Sequence, residues 1–516
     1  MKKNIFLLFT VVACGVLLFP RCNNLDLQPL DAITEEAFYQ TASDFKGAIL
    51  ASYSSMQSLN GTSTENLGER AEWWKMTLMT TDDATFDDQQ ATDPATSINM
   101  DNLNFLPTDI AFQSVFTHLY QGIFRSNLVI EKLGEENELT EDEKTAFEAE
   151  ARFLRAWYHF QSYKFWGGQG PLVLATRRDI NDIPLPNSTP DATVQSIVDD
   201  FTFAGNNLPM TWDDVNLGRA TAWAAKSYVG KVQLYAKNYG AAATAFEEVY
   251  NSGPYSLMSN YEDVFSFDFE NNSESVFEMQ YGSNSDDNGW VLDDNHTENF
   301  KASQGIMRAW WQDAGRGAPG GGLGIYVPTT ELINAFEDGD PRKATNIYTD
   351  GDTYYALGVE TAYDPIWSPS GATMRKYRGI NVPKMNPVNF AIDYNNERIM
   401  RFADVILMYA ESLIESGGDL GLATNLVNEV RGRSFPGGDP VPSGLSATEL
   451  TDRLRQERRV EFPFEGHRLF DLVRWGTAAE VFSAQGKTFQ MFGSTAIFPL
   501  PQSEIDRSGG TLQQVN

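Results

Sequence analysis

Residues 220–250 read ATAWAAKSYVGKVQLYAKNYGAAATAFEEVY, and this stretch indicates how most of the chain folds. Helix-forming residues run from 220 to 235, a turn follows at 238–240, and helix-forming residues resume from 241 to 250. Alanine recurs at positions where two neighbouring helices pack closely. The stretch therefore predicts two helices joined by a short turn.

The same helical character appears on both sides of this stretch. Residues 146–165, AFEAEARFLRAWYHFQSYKF, form an uninterrupted helical pattern that Gly167 and Gly168 close. A helical stripe near the C-terminus comprises Phe402, Val405, Ile406, Tyr409 and Leu413. Such helix pairs are similar to tetratricopeptide units, although the full signature does not recur at a fixed period. The predicted fold class is mainly α, with degenerate tetratricopeptide-like helix pairs forming a scaffold and loop-rich insertions carrying short strands.

Residues 253–395 have a different composition from the helical segments. They contain ten of the 20 Tyr and four of the 11 Trp but only five Leu, and they are dense in Gly, Asn, Asp and Pro. Such a segment is poorly suited to long amphipathic helices, so it predicts loops and short strands. Residues 60–110 form a smaller region of the same kind. We therefore predict a helical scaffold at about 30–252 and 396–480, with a loop-rich ligand-face insertion at about 253–395.

The N-terminus is typical of an export signal. Lys2 and Lys3 precede an apolar run from 5 to 19, which is shorter than the about 20 residues that a membrane-spanning helix needs. Cys22 ends the run, which suggests a bacterial lipoprotein with residues 1–21 removed and Cys22 acylated. The sequence around Cys14 fits the local cleavage pattern better but leaves a very short apolar run. Processing at Cys14, or an ordinary secretory signal, stays open.

Charge and motif content exclude several functions. The 39 Lys and Arg face 70 Asp and Glu, a formal charge of −31, whereas binding nucleic acid requires basic residues in excess. Two cysteines are too few for a disulfide scaffold or a Cys-based zinc site. Asp350 and Asp352 start like a calcium loop, but Tyr355 occupies its obligatory glycine position. No cofactor or metal site is predicted, although a surface calcium ion held by scattered acids stays open.

The densest charge pattern is RQERRVEFPFEGHRLFDLVRWG, residues 455–476. Glu461, Glu465 and His467 could form an acid–base or metal set. We favour a structural interpretation, in which interleaved Arg and carboxylate groups form partly buried pairs that hold helices together. The sign pattern pairs Arg458 and Arg459 with Glu461, Glu465 with Arg468, and Asp471 with Arg474.

This C-terminal stretch resembles the signature of the SusD/RagB family of Bacteroidetes outer-membrane lipoproteins. Other similar stretches are CNNLDLQP at 22–29, AEARFLRAWYHFQSYKFWG at 149–167, RFADVILMYAESL at 401–413, LVNEVRGRS at 426–434 and IFPLPQSEI at 497–505. The resemblance implies four tetratricopeptide-like helix pairs in a single composite domain, residues 22–516. It also implies a lipid-anchored protein on the cell surface. Such a protein binds a glycan without cleaving it and passes it to a SusC-like TonB-dependent transporter.

Exposed aromatic rings beside polar groups can bind a glycan. An aromatic face covers the apolar side of a pyranose, and Asp, Asn or Arg satisfies its hydroxyls. The candidate glycan-binding residues are Trp73, Trp74, Asp82, Asp83, Trp290, Trp310, Trp311, Tyr354, Tyr355 and Trp367, with Asn288 as a further polar partner. If the chain is extended at a Trp pair, one ring can be buried and the other exposed.

Four helical tryptophans are instead assigned to the core: Trp157, Trp166, Trp223 and Trp475. Two alternatives to a glycan-binding protein stay open. The first is a glycoside hydrolase that uses two carboxylates, which motifs cannot exclude because the acids are set by spacing in the fold. The second is a tetratricopeptide-type scaffold that binds a protein or peptide.

Overall fold

A computed structural model describes residues 38–59, 72–86, 94–178, 185–281, 326–356, 359–377 and 395–514. The fold is mainly helical, which confirms the predicted class. The helices are α1 (Ala42–Ser58), α2 (Glu72–Trp74), α3 (Pro94–Asp101), α4 (Ile110–Leu133), α5 (Glu141–Trp166), α6 (Pro190–Asn207), α7 (Ala222–Tyr235), α8 (Tyr239–Ser252), α9 (Thr330–Ile333), α10 (Arg342–Asn346), α11 (Phe402–Glu415), α12 (Leu420–Ser434), α13 (Ala447–Glu461), α14 (Arg468–Arg474), α15 (Ala478–Ala484) and α16 (Gln502–Arg507).

The long helices pack in chain order and form the scaffold. Helix α1 packs on α4, α4 on α5, α5 on α6, α6 on α7, and α7 on α8. The stack then skips the insertion, because α8 packs directly on α11, which packs on α12 and α13. The insertion therefore begins after α8 and ends before α11, the next helix of the stack.

Local sequence explains the ends of the central helix α5. The Thr140 side chain accepts a hydrogen bond from the Glu143 N–H, and the Glu143 carboxylate accepts from the Thr140 N–H at 2.9 Å, which is a capping box. Gly167 ends the helix in the left-handed region, with φ of 60°. A Cβ at this glycine would lie 2.3 Å from the Thr495 backbone, so the helix end also requires a residue without a side chain.

The strands are short and pair antiparallel, β1 with β3, β2 with β8, β4 with β7 and β5 with β6. They are β1 (Ala84–Phe86), β2 (Ser275–Met279), β3 (Tyr326–Pro328), β4 (Ile347–Tyr348), β5 (Thr353–Ala356), β6 (Val359–Ala362), β7 (Thr373–Met374) and β8 (Glu397–Arg401). Strand β8 leads directly into α11, so the β2–β8 pair ties the insertion to the scaffold. A large apolar core runs through the helices.

The four tryptophans assigned to the core divide into two groups. Trp157 and Trp166 are fully buried, as predicted, and the indole N–H of Trp166 donates to the Pro499 carbonyl at 3.0 Å. Trp223 and Trp475 are only half-buried, and each lies under a cation. In the described ranges, every helix is too short or too polar to cross a membrane.

Candidate functional site

Strands β1 and β3 bring the segment after α2 against the middle of the insertion. Ala84 lies opposite Pro328 in the antiparallel register. The Thr329 hydroxyl donates to the Asp82 carbonyl at 2.7 Å, and the Thr329 N–H donates to the Asp83 carbonyl at 3.0 Å. The two regions from which the sequence predicted glycan-binding residues therefore meet at this strand pair.

Asp82 and Asp83, the predicted polar partners, are buried against arginines of α13 and α14. Arg468 donates to the two oxygens of Asp82 at 2.8 and 2.7 Å, and Arg459 donates to Asp83 at 2.9 Å. Burial opposes ionisation of Asp82, but Arg468 and Arg459 hold its pKa below the usual value. The structure thus corrects the predicted location: these carboxylates face guanidinium groups inside the protein rather than an open sugar-binding surface.

Trp73 and Trp74 also lie inside the protein. Trp73 stacks on Trp157 with ring centroids 6.4 Å apart and meets Phe165 edge-on at 5.2 Å, while Trp74 is 1% exposed. The sequence prediction assumed an extended chain that sends neighbouring side chains to opposite faces. The chain is instead helical from 72 to 79, and this helical segment, which includes a π-helical turn, is packed on all sides.

Trp367 is the predicted aromatic whose side chain the structure places closest to solvent. It is half-buried in a short 3-10 helix, Pro365–Trp367, next to Ile366, which is 81% exposed. Its ring meets Tyr363 edge-on at 5.5 Å, and Tyr363 stacks on Tyr348 at 5.9 Å. Burial raises the pKa of Tyr363 to about 12. The three rings form an aromatic run that ends at the surface.

For the other aromatic residues predicted to bind glycan, the structure gives at most the backbone position. Tyr354 and Tyr355 lie in β5, opposite Thr361 and Glu360 of β6. Trp290, Trp310, Trp311 and Asn288 lie outside the described residues, as does Cys22. Their roles stay predictions.

The C-terminal charges form a buried network that differs from the sequence prediction in its partners. Arg401 donates to Glu465 at 2.7 and 2.9 Å, and Lys376 binds the same carboxylate at 2.6 Å. Glu465 therefore pairs with these two cations and not with Arg468. The predicted Asp471–Arg474 pair is present at 2.8 Å. Because almost all these side chains are buried, the contacts fit the structural interpretation.

Glu461 and His467, which were considered as an acid–base set, are held by this network. Glu461 accepts hydrogen bonds from Arg401, Arg433 and Arg342, and not from the predicted Arg458 and Arg459, which bind other acids. Although burial opposes ionisation of Glu461, the charges of its three arginines lower its pKa to about 2. Burial, with the nearby Lys231 charge, lowers the pKa of His467 to about 3. Neither group is poised to exchange a proton near neutral pH. In the part of the chain that the structure describes, no three His, Cys, Asp or Glu side chains are grouped to hold a metal ion.

Two family models together match most of the chain. Residues 273–516 match a model described as "SusD family", and residues 40–234 match one described as "Starch-binding associating with outer membrane". The chain belongs to the SusD family.

Other SusD-like proteins are similar over nearly the full length. SusD-like protein P25 of Formosa agariphila is 24% identical over 510 residues, which covers 92% of this chain and 90% of that protein. The crystal structure of a SusD superfamily protein from Bacteroides vulgatus has a TM-score of 0.76 at 23% identity, covering 93% of this chain and 99% of that one. A structure described as a laminarin binding SusD-like protein has a TM-score of 0.73 at 26% identity, with 92% and 99% covered.

One tryptophan of this SusD-family chain was missed by the sequence analysis. Trp212 lies in the loop between α6 and α7, where it is half-buried and under the Arg219 guanidinium at 4.2 Å. In the sequence, Trp212 could have been recognised because it lies between two helical patterns and outside any periodic apolar stripe. A large aromatic without a helical core role is a candidate surface ring.

Proposed function

We propose that this protein is a cell-surface lipoprotein that binds an oligosaccharide or polysaccharide and delivers it to a SusC-like TonB-dependent transporter, without cleaving it. The observation that carries this proposal is the match of both SusD-family models, one of them described as starch-binding and associated with the outer membrane. Similarity to a laminarin-binding SusD-like protein makes a neutral glucan the first ligand to test.

The proposed glycan face lies on the insertion, around the aromatic run that ends at Trp367. The exposed Ile366 and the half-buried Trp367 offer apolar surface, while the exposed Asp364 and Glu360 offer acceptors for hydroxyl groups. An aromatic face against the C–H groups of a pyranose and carboxylates on its hydroxyls is a pairing that suits neutral sugars. The other proposed members of this face are Trp290, Trp310, Trp311, Tyr354 and Tyr355.

Binding is tested by native gel electrophoresis of the mature protein in gels that contain laminarin, starch or another neutral polysaccharide. The proposal predicts retardation in at least one of these gels, abolished by an excess of the matching oligosaccharide. A serum albumin lane controls for gel viscosity. Migration unchanged by every neutral and acidic polysaccharide would contradict glycan binding.

The same polysaccharides separate binding from hydrolysis. The proposal predicts that prolonged incubation of the protein with its polysaccharide releases no new reducing ends. Release that follows protein concentration and is lost on heating would establish the two-carboxylate hydrolase instead.

Delivery requires that the protein be anchored beside the transporter. We expect Cys22→Ala to remain unacylated and to leave the membrane fraction, because a lipid chain supplies the hydrophobic attachment. Cys14→Ala is the matched control and should remain attached. The reverse result would assign the lipid to Cys14. Delivery itself predicts that the anchored protein co-purifies with a TonB-dependent transporter.

A further inference from the structure

The loop that joins α6 to α7 forms one wall of a groove. The groove has a volume of about 260 Å³ and is also bordered by the start of strand β2. No predicted glycan-binding residue in the described ranges lines it. Its volume is close to the lower end of ligand pockets, about 300 Å³, so it suits a ligand the size of one sugar ring.

The Trp212 ring is held in a fixed position at this groove. Its indole N–H donates to the Ala220 carbonyl at 2.8 Å, and the Arg219 guanidinium carbon lies 4.2 Å from the ring centroid. Arg219 is itself fixed, because it donates to Glu150 at 2.9 Å and pairs with the second oxygen of the same buried carboxylate. A ring held by these contacts loses little further entropy when a ligand stacks on it.

The other walls combine apolar and hydroxyl groups. Met210 and Leu217, which are 54% and 47% exposed, extend the apolar surface next to the ring. The remaining lining side chains that matter here are Tyr255 and the hydroxyl-bearing Thr211, Thr221 and Ser275. Apolar surface beside several hydroxyls matches a ligand that has a C–H face and a hydroxyl rim.

We propose that this groove is a second carbohydrate site, which takes one neutral pyranose unit against the Trp212 ring. An anionic ligand fits less well, because Arg219 is already neutralised by Glu150 and the carboxylate residue Glu278 also lines the groove. A long peptide fits less well because the volume of the groove is small. This site is separate from the glycan face proposed on the insertion. It does not depend on which residues of that face bind the glycan.

The test observes Trp212 directly in the full mature chain labelled with 5-fluorotryptophan. The fluorine resonance that Trp212→Phe removes belongs to Trp212, and the one that Trp223→Phe removes supplies a matched control. Trp223 is also half-buried and also under a cation, Lys226 at 5.0 Å, but it does not line the groove. Glucose, galactose, mannose and their neutral disaccharides are then titrated at millimolar concentration.

The proposal predicts a saturable shift of the Trp212 resonance with at least one of these sugars and an unchanged Trp223 resonance. For that sugar, Trp212→Ala should lower the affinity about tenfold or more, whereas Trp223→Ala should preserve it. If other tryptophan resonances shift while that of Trp212 stays fixed, glycan binding stands and this second site is refuted. If no resonance shifts and no polysaccharide retards the protein, both the site and the proposed function are refuted.

Discussion

Helices α13 and α14 contain a set of buried, paired charges, whereas the segment 347–367 contains exposed acids and an aromatic run that ends at the surface. In the helices Arg458, Glu461 and Asp471 are buried, and each contacts at least two groups of opposite charge. In the segment 347–367 the acids Asp350 and Asp364 are exposed, and its aromatic run reaches the surface.

This contrast indicates a structural role for helices α13 and α14 and a ligand-binding role for the segment 347–367. Burying a charge is unfavourable unless partners surround it, so a multiply paired network ties together elements that are far apart in sequence. An aromatic run that ends at solvent contributes less to the core and leaves apolar surface available to a ligand. Substitutions in the helices should therefore change stability, and substitutions on the insertion should change ligand affinity.

The largest expected effect is on stability, at Glu465. Its replacement by Ala leaves Lys376, whose side chain is fully buried, without its carboxylate partner. Stranding one partner of a buried pair costs about 3–5 kcal/mol. We expect that loss in the free energy of unfolding, measured by denaturant titration, with unchanged glycan affinity in the folded protein. Arg468→Ala removes two hydrogen bonds from the buried Asp82 but leaves Arg459 beside it, so it should also lower stability, by a smaller amount.

The control for this prediction is the surface pair Arg507–Glu504, in which the Arg507 side chain is 70% exposed. Because water screens such a pair, Arg507→Ala should change stability by about 1 kcal/mol or less. The comparison between the two regions fails if Glu465→Ala keeps its stability but loses glycan binding. An active or binding site should then be sought among these helices.

On the insertion, the largest effect is expected from replacing both Trp310 and Trp311 with Ala. Loss of a stacked aromatic costs about 1–3 kcal/mol by analogy with bases stacked on aromatic side chains, which is about a tenfold to hundredfold loss of affinity. Titration calorimetry measures the affinity, and circular dichroism should show an intact helical signal. Unchanged affinity would show that this pair is not the platform, and unfolding would show that both rings belong to the core.

The helical scaffold was predictable because its signals are local. The pattern at 146–165 lies within α5, and the turn at 238–240 falls where α7 has ended and α8 begins. Periodicity and glycine stops report on neighbouring residues, so one sequence suffices to recognise them. The helical segment at 72–79 was missed because a Trp pair beside polar residues carries no periodic pattern, and only the packing around it explains its conformation.

The partners in the charge network were less predictable. The sequence shows which charges alternate, and it correctly gave Asp471–Arg474, three residues apart. Glu465 instead pairs with Lys376 and Arg401, which are 89 and 64 residues away. Such pairs depend on how helices and strands meet, which short-range spacing does not encode. The same limit concealed the groove at Trp212, since its walls come from three separate parts of the chain, 210–221, 254–255 and 271–278.

A smaller effect on stability should appear on acidification, through His467. Its pKa is lowered from 6.5 to about 3, chiefly by burial, so the folded protein keeps this imidazole neutral. Below pH 6.5 the His467 imidazole is protonated in the unfolded chain but stays neutral in the folded chain. Stability is therefore fully present above pH 6.5 and falls as the pH drops toward 3. At pH 5 the loss from this group is about 2 kcal/mol.

The measurement compares the free energy of unfolding at pH 7.5 and pH 5 for the wild type and for His467→Gln. The variant should be less stable at pH 7.5 but should lose less stability between the two values. His118, which is not fully buried, supplies the control substitution. An equal pH dependence in the wild type and His467→Gln would show that the imidazole is not held neutral by the fold.

The smallest expected effect tests where the glycan face ends. Trp367 is half-buried and meets Tyr363 edge-on, so only part of its ring is available to a sugar. We expect Trp367→Ala to weaken oligosaccharide binding by up to about tenfold, near the lower limit for a stacked ring. Trp223→Ala, which removes an equally half-buried ring from the scaffold, should leave affinity unchanged. Because Tyr363 and Tyr348 still stack on each other, the melting temperature of Trp367→Ala should change little. A large drop in melting temperature with unchanged affinity would place Trp367 in the structural part of the insertion, and the glycan face would then begin beyond it.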